Sequence, residues 1–403
     1  MIAKRQLMLG VAAAGLLSRQ SRAEKKYGPG VTDTEIKIGN TMPYSGNASA
    51  YGANGRSEAA YFRMINDQGG VNGRKINFFS LDDGYSPPKT MELTRQLVER
   101  DGVLLMFASL GTAPNTAIHK YMNQKKVPHL FVGTGASKWG DPARYPWTMG
   151  FIPDYHGEGF AYARHILANV QNPKIAVLRQ NDDLGVDYLD GFREGLGEDA
   201  DKRIVLVSTY EVTDPTVDSQ MLQLKNSGAN VFFNVTTPKF AAQSIKKAAE
   251  INWKPAHYLV NVAASLGAVI RPAGVENAQG ILTALYAKDV TDPRWETFPD
   301  VIEWKAWMAK YNPNANPAEN GYAVGYIHAF AMVEVLARCG DELTRENIMR
   351  QAASLHDFAV PLLVPGSVAN TSPTDFFPLK SWRMARLEGE HWTLFGDLML
   401  RER

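Results

Sequence analysis

Residues 103–114 read Val103-Leu104-Leu105-Met106-Phe107-Ala108-Ser109-Leu110-Gly111-Thr112-Ala113-Pro114. An apolar run gives way to a glycine and a hydroxyl, then to a proline suited to a first helical turn. The stretch reads as a strand, a tight loop and the opening of a helix, the unit from which parallel sheets with crossover helices are built. A loop of this kind presents unpaired backbone N–H groups at the positive end of a helix, where an anion is favoured.

The same unit recurs on both sides of this stretch. Strands are expected over 36–39, 76–81, 103–109 and 129–133 in a first block, and over 175–179, 204–210, 231–235 and 258–262 in a second. Between strands, Ala241, Ile245, Ala248 and Ala249 follow helical spacing and predict one apolar face laid on a sheet. Residues 280–286 read as a further strand, and helices over about 295–311, 321–338 and 344–353 complete the first lobe. The tail returns to β-rich runs at 382–387 and 392–395. With no long Gly/Ser or Pro-rich linker, the expected fold is α/β, with two doubly wound parallel-sheet lobes joined by short hinge crossings. Lobe 1 is assigned 24–150 plus 284–359 and lobe 2 is assigned 151–283 plus 360–403, with hinges near Gly150, Thr283 and Val360.

Composition narrows the function. Lys plus Arg number 43 against 42 Asp plus Glu, a net charge of +1, so no basic excess points to nucleic acid or an anionic membrane. With 45% hydrophobic and 21% charged residues the chain reads as an ordinary globular protein. Cys339 is the single cysteine, so neither an intramolecular disulfide nor a multi-cysteine metal site is expected, and its apolar helical setting suits packing. Lys4 and Arg5 precede an apolar run over 7–17, and Ser21-Arg22-Ala23 has small residues where a signal peptidase needs them. That run spans about 16 Å as a helix, too short for a hydrocarbon core of about 30 Å. A signal peptide cleaved after Ala23 and a periplasmic location are therefore expected, and the remaining length suits two large units.

A second loop, Gly133-Thr134-Gly135-Ala136-Ser137, follows the 129–133 strand and matches the first in offering glycine and hydroxyls. Thr112 and Ser137 also suit plain helix capping. Neither loop has the third glycine of a dinucleotide fingerprint, and no phosphate-loop or nucleophile-elbow pattern exists, so no cofactor is expected. Asp154, His156 and Glu158 lack the cysteine ligands of a deaminase-type metal site and read as a solvated helix start; no metal is expected. Asp82-Asp83 and Asp182-Asp183 follow strands and read as caps or cleft rims. Tyr44, Tyr51, Trp139 and Tyr155 lie near strand ends where they can line an apolar pocket, whereas Trp295, Trp304 and Trp307 have helical spacing and read as packing.

These features, in order and spacing, resemble the periplasmic solute-binding proteins of the leucine/isoleucine/valine-binding type, with the type I two-lobed fold. The resemblance rests on Ile36-Lys37-Ile38-Gly39, Ser45-Gly46, Tyr51-Gly52, the DQGGVNG run from Asp67 to Gly73, Asp82-Asp83, and the stretch from Phe151 to Gly159 where the first crossing falls. It covers nearly the whole chain after the leader. It implies a carboxylate held by Gly111 and Thr112 and by Gly135, Ala136 and Ser137, with Tyr51 and Tyr322 against the ligand side chain. It further implies that Asn261 stands where amino-acid binders carry an acid for the ammonium, with Leu184 and Thr236 at former aromatic and tyrosine positions. The carboxylate end is thus retained and the ammonium end is not. The tail, with Asn370 to Asp375, Pro378 and Phe395-Gly396-Asp397, is similar to a subgroup associated with aromatic acids.

The resemblance implies a monomeric, non-enzymatic substrate-binding component of an ABC transporter that delivers an aromatic or aliphatic acid to permease subunits at the membrane. A branched-chain or other amino acid is the alternative ligand, and a sensing subunit or an enzyme on the same fold are the alternative roles.

Overall fold

The computed structural model describes residues 25–400, and the expected signal segment lies outside the described residues. Two sheets organise the chain. The first contains β1 (Glu35–Met42), β2 (Lys75–Asp82), β3 (Leu105–Phe107), β4 (His129–Val132) and β5 (Thr148–Gly150), all parallel in the order β2-β1-β3-β4-β5. The second contains β6 (Ile175–Gln180), β7 (Ile204–Tyr210), β8 (Val231–Val235), β9 (Ala256–Leu259) and β10 (Leu282–Leu285) as parallel strands. The tail adds β11 (Ser381–Glu388) and β12 (His391–Leu400) antiparallel at one edge, giving the order β12-β11-β10-β9-β8-β6-β7.

The helices of eight residues or more are α1 (Gly52–Asp67), α2 (Pro87–Arg95), α3 (Thr112–Lys125), α4 (Tyr155–Asn169), α5 (Asp183–Leu196), α6 (Asp218–Asn226), α7 (Pro238–Glu250), α8 (Pro299–Tyr311), α9 (Gly321–Cys339) and α10 (Arg345–Ala352). Apolar runs become central strands because both sheet faces are covered: Leu105, Met106, Phe107, Val231, Phe232 and Phe233 are all fully buried. On α7, Ala241, Ile245 and Ala248 are buried while Ala249 sits at the flank. Trp304 and Trp307 are buried, and Trp307 packs on Tyr61 and Tyr326. Cys339 is buried, and burial pushes its thiol up to about 12, which leaves it unreactive.

Two features position the site. The first is the contact of α1 with α9, where Gly325 has no room for a side chain: a Cβ there would lie 2.3 Å from the Asn54 carbonyl oxygen. Ser57 Oγ donates to the Tyr322 carbonyl across the same contact at 2.6 Å. The second is the set of chain passages between the sheets. After Gly150 the chain enters the second sheet through α4, and after Leu285 it turns back toward α8. The returning segments pair side by side, with Lys288 N–H donating to Leu362 at 2.8 Å and Val364 N–H to Tyr286 at 2.9 Å. Thr283, expected at a hinge, lies instead inside β10 and is fully buried, because β9 and β11 hold that strand on both sides.

Candidate ligand-binding cavity

The carboxyl ends of β3 and β4 meet where the two sheets face each other, as expected for ligand sites of open α/β sheets. Gly111 caps α3 with φ +102°, and a Cβ on it would lie 2.5 Å from the ring of Tyr85, so only glycine fits under that ring. Gly133 N–H donates to the Ser109 carbonyl at 2.9 Å and ties the two loops together. Thr112 Oγ1 and Thr134 Oγ1 then share a hydrogen bond of 2.6 Å, and Thr134 Oγ1 donates to Tyr155 Oη at 3.1 Å. The result is a chain of three buried hydroxyls at the N-terminal end of a fourteen-residue helix.

These groups form one wall of a cavity of about 60 Å³. A site needs only about 10–15 Å³ to admit one water, so the space suits a small molecule rather than a solvent defect. Tyr51, Tyr85 and Tyr286 supply aromatic wall, and burial raises the phenols of Tyr51 and Tyr85 well above their usual range, so they enter as neutral groups. Asn54 from α1 and Val324 and His328 from α9 close the far side, with Asn320 just before that helix. No Asp, Glu, Lys or Arg is among the described residues lining this cavity.

From the second sheet come Leu184, Thr237, Asn261 and Val262. Asn261 Nδ2 donates to the Ala284 carbonyl at 2.8 Å, leaving its amide oxygen as the uncommitted end. Its backbone N–H donates to Glu158 Oε1 at 2.7 Å, and the same carboxyl accepts from Tyr162 at 2.8 Å and Tyr188 at 2.7 Å. Burial nevertheless raises Glu158 to about 7.

The two sides are drawn together by polar contacts. Tyr51 Oη donates to the Val262 carbonyl at 3.1 Å, and Asn47 Nδ2 donates to that of Val212 at 2.7 Å. Ser137 N–H donates to Asp187 Oδ2 at 2.8 Å, its hydroxyl bonds the same carboxylate, and Lys138 pairs with Asp183.

Of the ten expected site residues, Tyr51, Gly111, Thr112, Leu184 and Asn261 line the cavity and five do not. Gly135 is packed under Pro153 and Tyr155, and Ala136 is buried in the core. Ser137 is turned to Asp187. Thr236 bonds Asn234 Oδ1 at 2.7 Å, and its neighbour Thr237 takes the lining position. Tyr322 points to Arg56, whose Nε donates to the phenol at 3.4 Å. Among the aromatics, Tyr155 lines the cavity, whereas Trp139 is core and meets His119 edge-on. The solvated helix start expected at 154–158 is a buried one: Asp154 caps α4 by accepting from Gly157 N–H, and Glu158 holds the network described above. His156 alone remains at the surface, paired with Glu194. Asp182 caps α5, as its sequence position suggested.

Comparison with known proteins follows the same lines. Residues 35–390 match the family model described as periplasmic binding protein. A "Leu/Ile/Val-binding protein homolog 7" of Brucella abortus is 23% identical over 335 residues, covering 78% of this chain and 80% of its own. A branched-chain amino acid ABC transporter structure from Thermus thermophilus with bound valine superposes with a TM-score of 0.82 at 16% identity, over 92% of this chain and 97% of that one. A fatty acid ABC transporter substrate-binding protein from Thermomonospora curvata gives 0.79 at 20% identity, over 94% and 95%. The match over nearly all of the described chain, together with two facing α/β sheets and a cavity at their strand ends, makes this chain a member of the periplasmic binding protein family, in the type I fold.

Proposed function

We propose that this protein is the periplasmic substrate-binding component of an ABC transporter, that it captures a small aromatic or aliphatic carboxylate by lobe closure, and that it hands the acid unchanged to the permease. The observation that carries this reading is the cavity wall itself: three linked hydroxyls at a helix N-terminus on one side, and no acid among the described residues that line the space. A carboxylate meets the positive end of α3 and the free O–H of Tyr155 there, since Thr112 donates to Thr134 and Thr134 to Tyr155. An ammonium meets a neutral Asn261, and a buried charge left without its counterpart costs about 3–5 kcal/mol, two to four decades of affinity. Tyr51, Tyr85 and Tyr286 offer a ring-stacking wall to an aromatic acid. The lobes follow the two sheets, and the passages at 151–154, 286–288 and 362–380 act as the hinge. Export with cleavage after Ala23 completes the reading.

A second reading, an amino acid ligand, is favoured by Glu58, a buried acid behind His328 whose two oxygens have no hydrogen-bond partner, and by the relatives named for leucine, isoleucine and valine. Incubating the purified protein with benzoate, phenylacetate or leucine and recovering the compound after denaturation tests the proposal. A carboxylic acid retained and returned intact is expected. Chemical conversion of the acid, or retention of leucine alone, would overturn it.

A further inference from the structure

The cavity does not end at Asn261. A second hollow of about 50 Å³ adjoins the main chamber of about 60 Å³, and Asn261, Tyr286, Asn320 and Val324 belong to the walls of both. A molecule confined to the main chamber leaves nearly half of the joint space unfilled. The walls of this annex are mostly apolar, including Leu266, Leu285, Val290 and Trp392, and Ala264 and Ala323 keep it open by their small size.

The charged groups and the indole N–H around the annex are already engaged. Lys288 Nζ is held by the Asp300 carboxylate. Asp289 Oδ1 accepts from Thr291 N–H at 3.0 Å and from its hydroxyl at 2.7 Å, while Oδ2 accepts from Trp392 N–H at 3.1 Å. Trp392 Nε1 donates to the Ala264 carbonyl at 2.7 Å. A charged group entering the annex would be stripped of water without a new partner, which is costly. The main chamber has no charged lining residue but offers the Thr112, Thr134 and Tyr155 hydroxyls and a His328 whose nitrogens are unpartnered. This contrast orients a ligand: polar end in the chamber, apolar end in the annex.

Resting on the carboxylate reading above, we infer that the ligand is an elongated acid whose carboxylate sits at the N-terminus of α3 beside the Tyr155 hydroxyl and whose straight alkyl tail passes between Asn261 and Asn320 into the annex. Each methylene buried there strengthens binding about fourfold. Titration calorimetry with butanoate, hexanoate and octanoate, and with the matching 1-alkanols, separates tail from head. Length dependence at a fixed head group reads the annex. The acid-over-alcohol preference at fixed length reads the carboxylate site.

For the wild-type protein, affinity should climb about fourfold per methylene in both series until the annex is full. Ala323→Leu and Ala287→Leu, two independent fillings of the annex, should flatten that climb while leaving butanoate affinity within twofold of wild type. Circular dichroism identifies which variants are folded. A climb with no acid preference would keep the annex and overturn the carboxylate head. No climb in the wild type, or the same climb in a folded filled variant, would overturn the annex.

Discussion

Glu58 on α1 and His328 on α9 face each other inside the protein, with Glu58 Oε1 3.7 Å from His328 Nδ1. Both side chains are fully buried, and neither the carboxyl nor the imidazole has a hydrogen-bond partner among the described residues. Burial drives them in opposite directions: the Glu58 carboxyl is raised well above its usual range, and the His328 imidazole falls to about 3. Burial thus favours the uncharged form of each, an acid beside a base, immediately behind the ligand cavity.

Stability should carry the signature of that pair. Glu58 holds its proton in the folded state and releases it in the unfolded state, so its contribution is complete below about pH 4.5 and is lost as pH rises toward its elevated native value. His328 acts oppositely: its native imidazole stays neutral while the unfolded one takes up a proton, so stability is lost as pH falls from about 6.5 toward 3. Glu58→Gln should accordingly gain stability over wild type with rising pH, by at most about 1.4 kcal/mol per pH unit. Denaturant unfolding between pH 5 and 8 measures this; parallel wild-type and variant curves would contradict it.

The hydroxyl chain gives a second expectation. Thr112→Val keeps the shape of the side chain and removes its hydroxyl, and Thr134→Val does the same one step along the chain. Each removes one link behind the Tyr155 hydroxyl and should weaken a bound carboxylate by about 0.5–1.5 kcal/mol, the net worth of a neutral hydrogen bond. Calorimetry with phenylacetate checks the loss, and the variants should bind the matching neutral alcohol as wild type does.

Ser137 should act on the same affinity by another route. It reaches Asp187 across the gap between the two sheets and lines no part of the cavity. Ser137→Ala removes only the hydroxyl bond and Asp187→Ala removes the backbone bond as well, so Asp187→Ala should weaken binding more and the double variant no further than Asp187→Ala alone. Additive losses in the double-mutant cycle would contradict this assignment.

The strands were legible because their signal is local: continuous apolar runs at 105–107 and 231–233 mark strands covered on both faces. Gly111 and Thr112 were legible for a similar reason, since a glycine and hydroxyl after such a run open a helix whatever surrounds them. The second loop failed by three residues, because the chain turns to the cavity at Thr134 and has swung toward Asp187 by Ser137. Thr236 failed by one residue, and one residue at a strand end exchanges the side chain that enters the cavity for its neighbour. Asn320, Val324 and His328 recur every four residues beside Tyr322, so a helical-face reading had the signal to find them. Glu158 had no such signal. Its burial depends on Tyr188 and Asn261, which are distant in sequence.

The central claim is that the cavity selects a carboxylate without an ammonium, and a thermal-shift series at equal ligand concentration tests it most directly. A ligand at free concentration L that binds the folded state stabilises it by RT ln(1 + L/Kd), so at equal concentration the tighter ligand gives the larger rise in melting temperature. Benzoate, phenylacetate and longer acids should raise it more than leucine, isoleucine or valine, with calorimetry confirming the order. A largest shift from a branched-chain amino acid, with micromolar or tighter binding, would contradict the account and assign the ammonium to an acid such as Glu58.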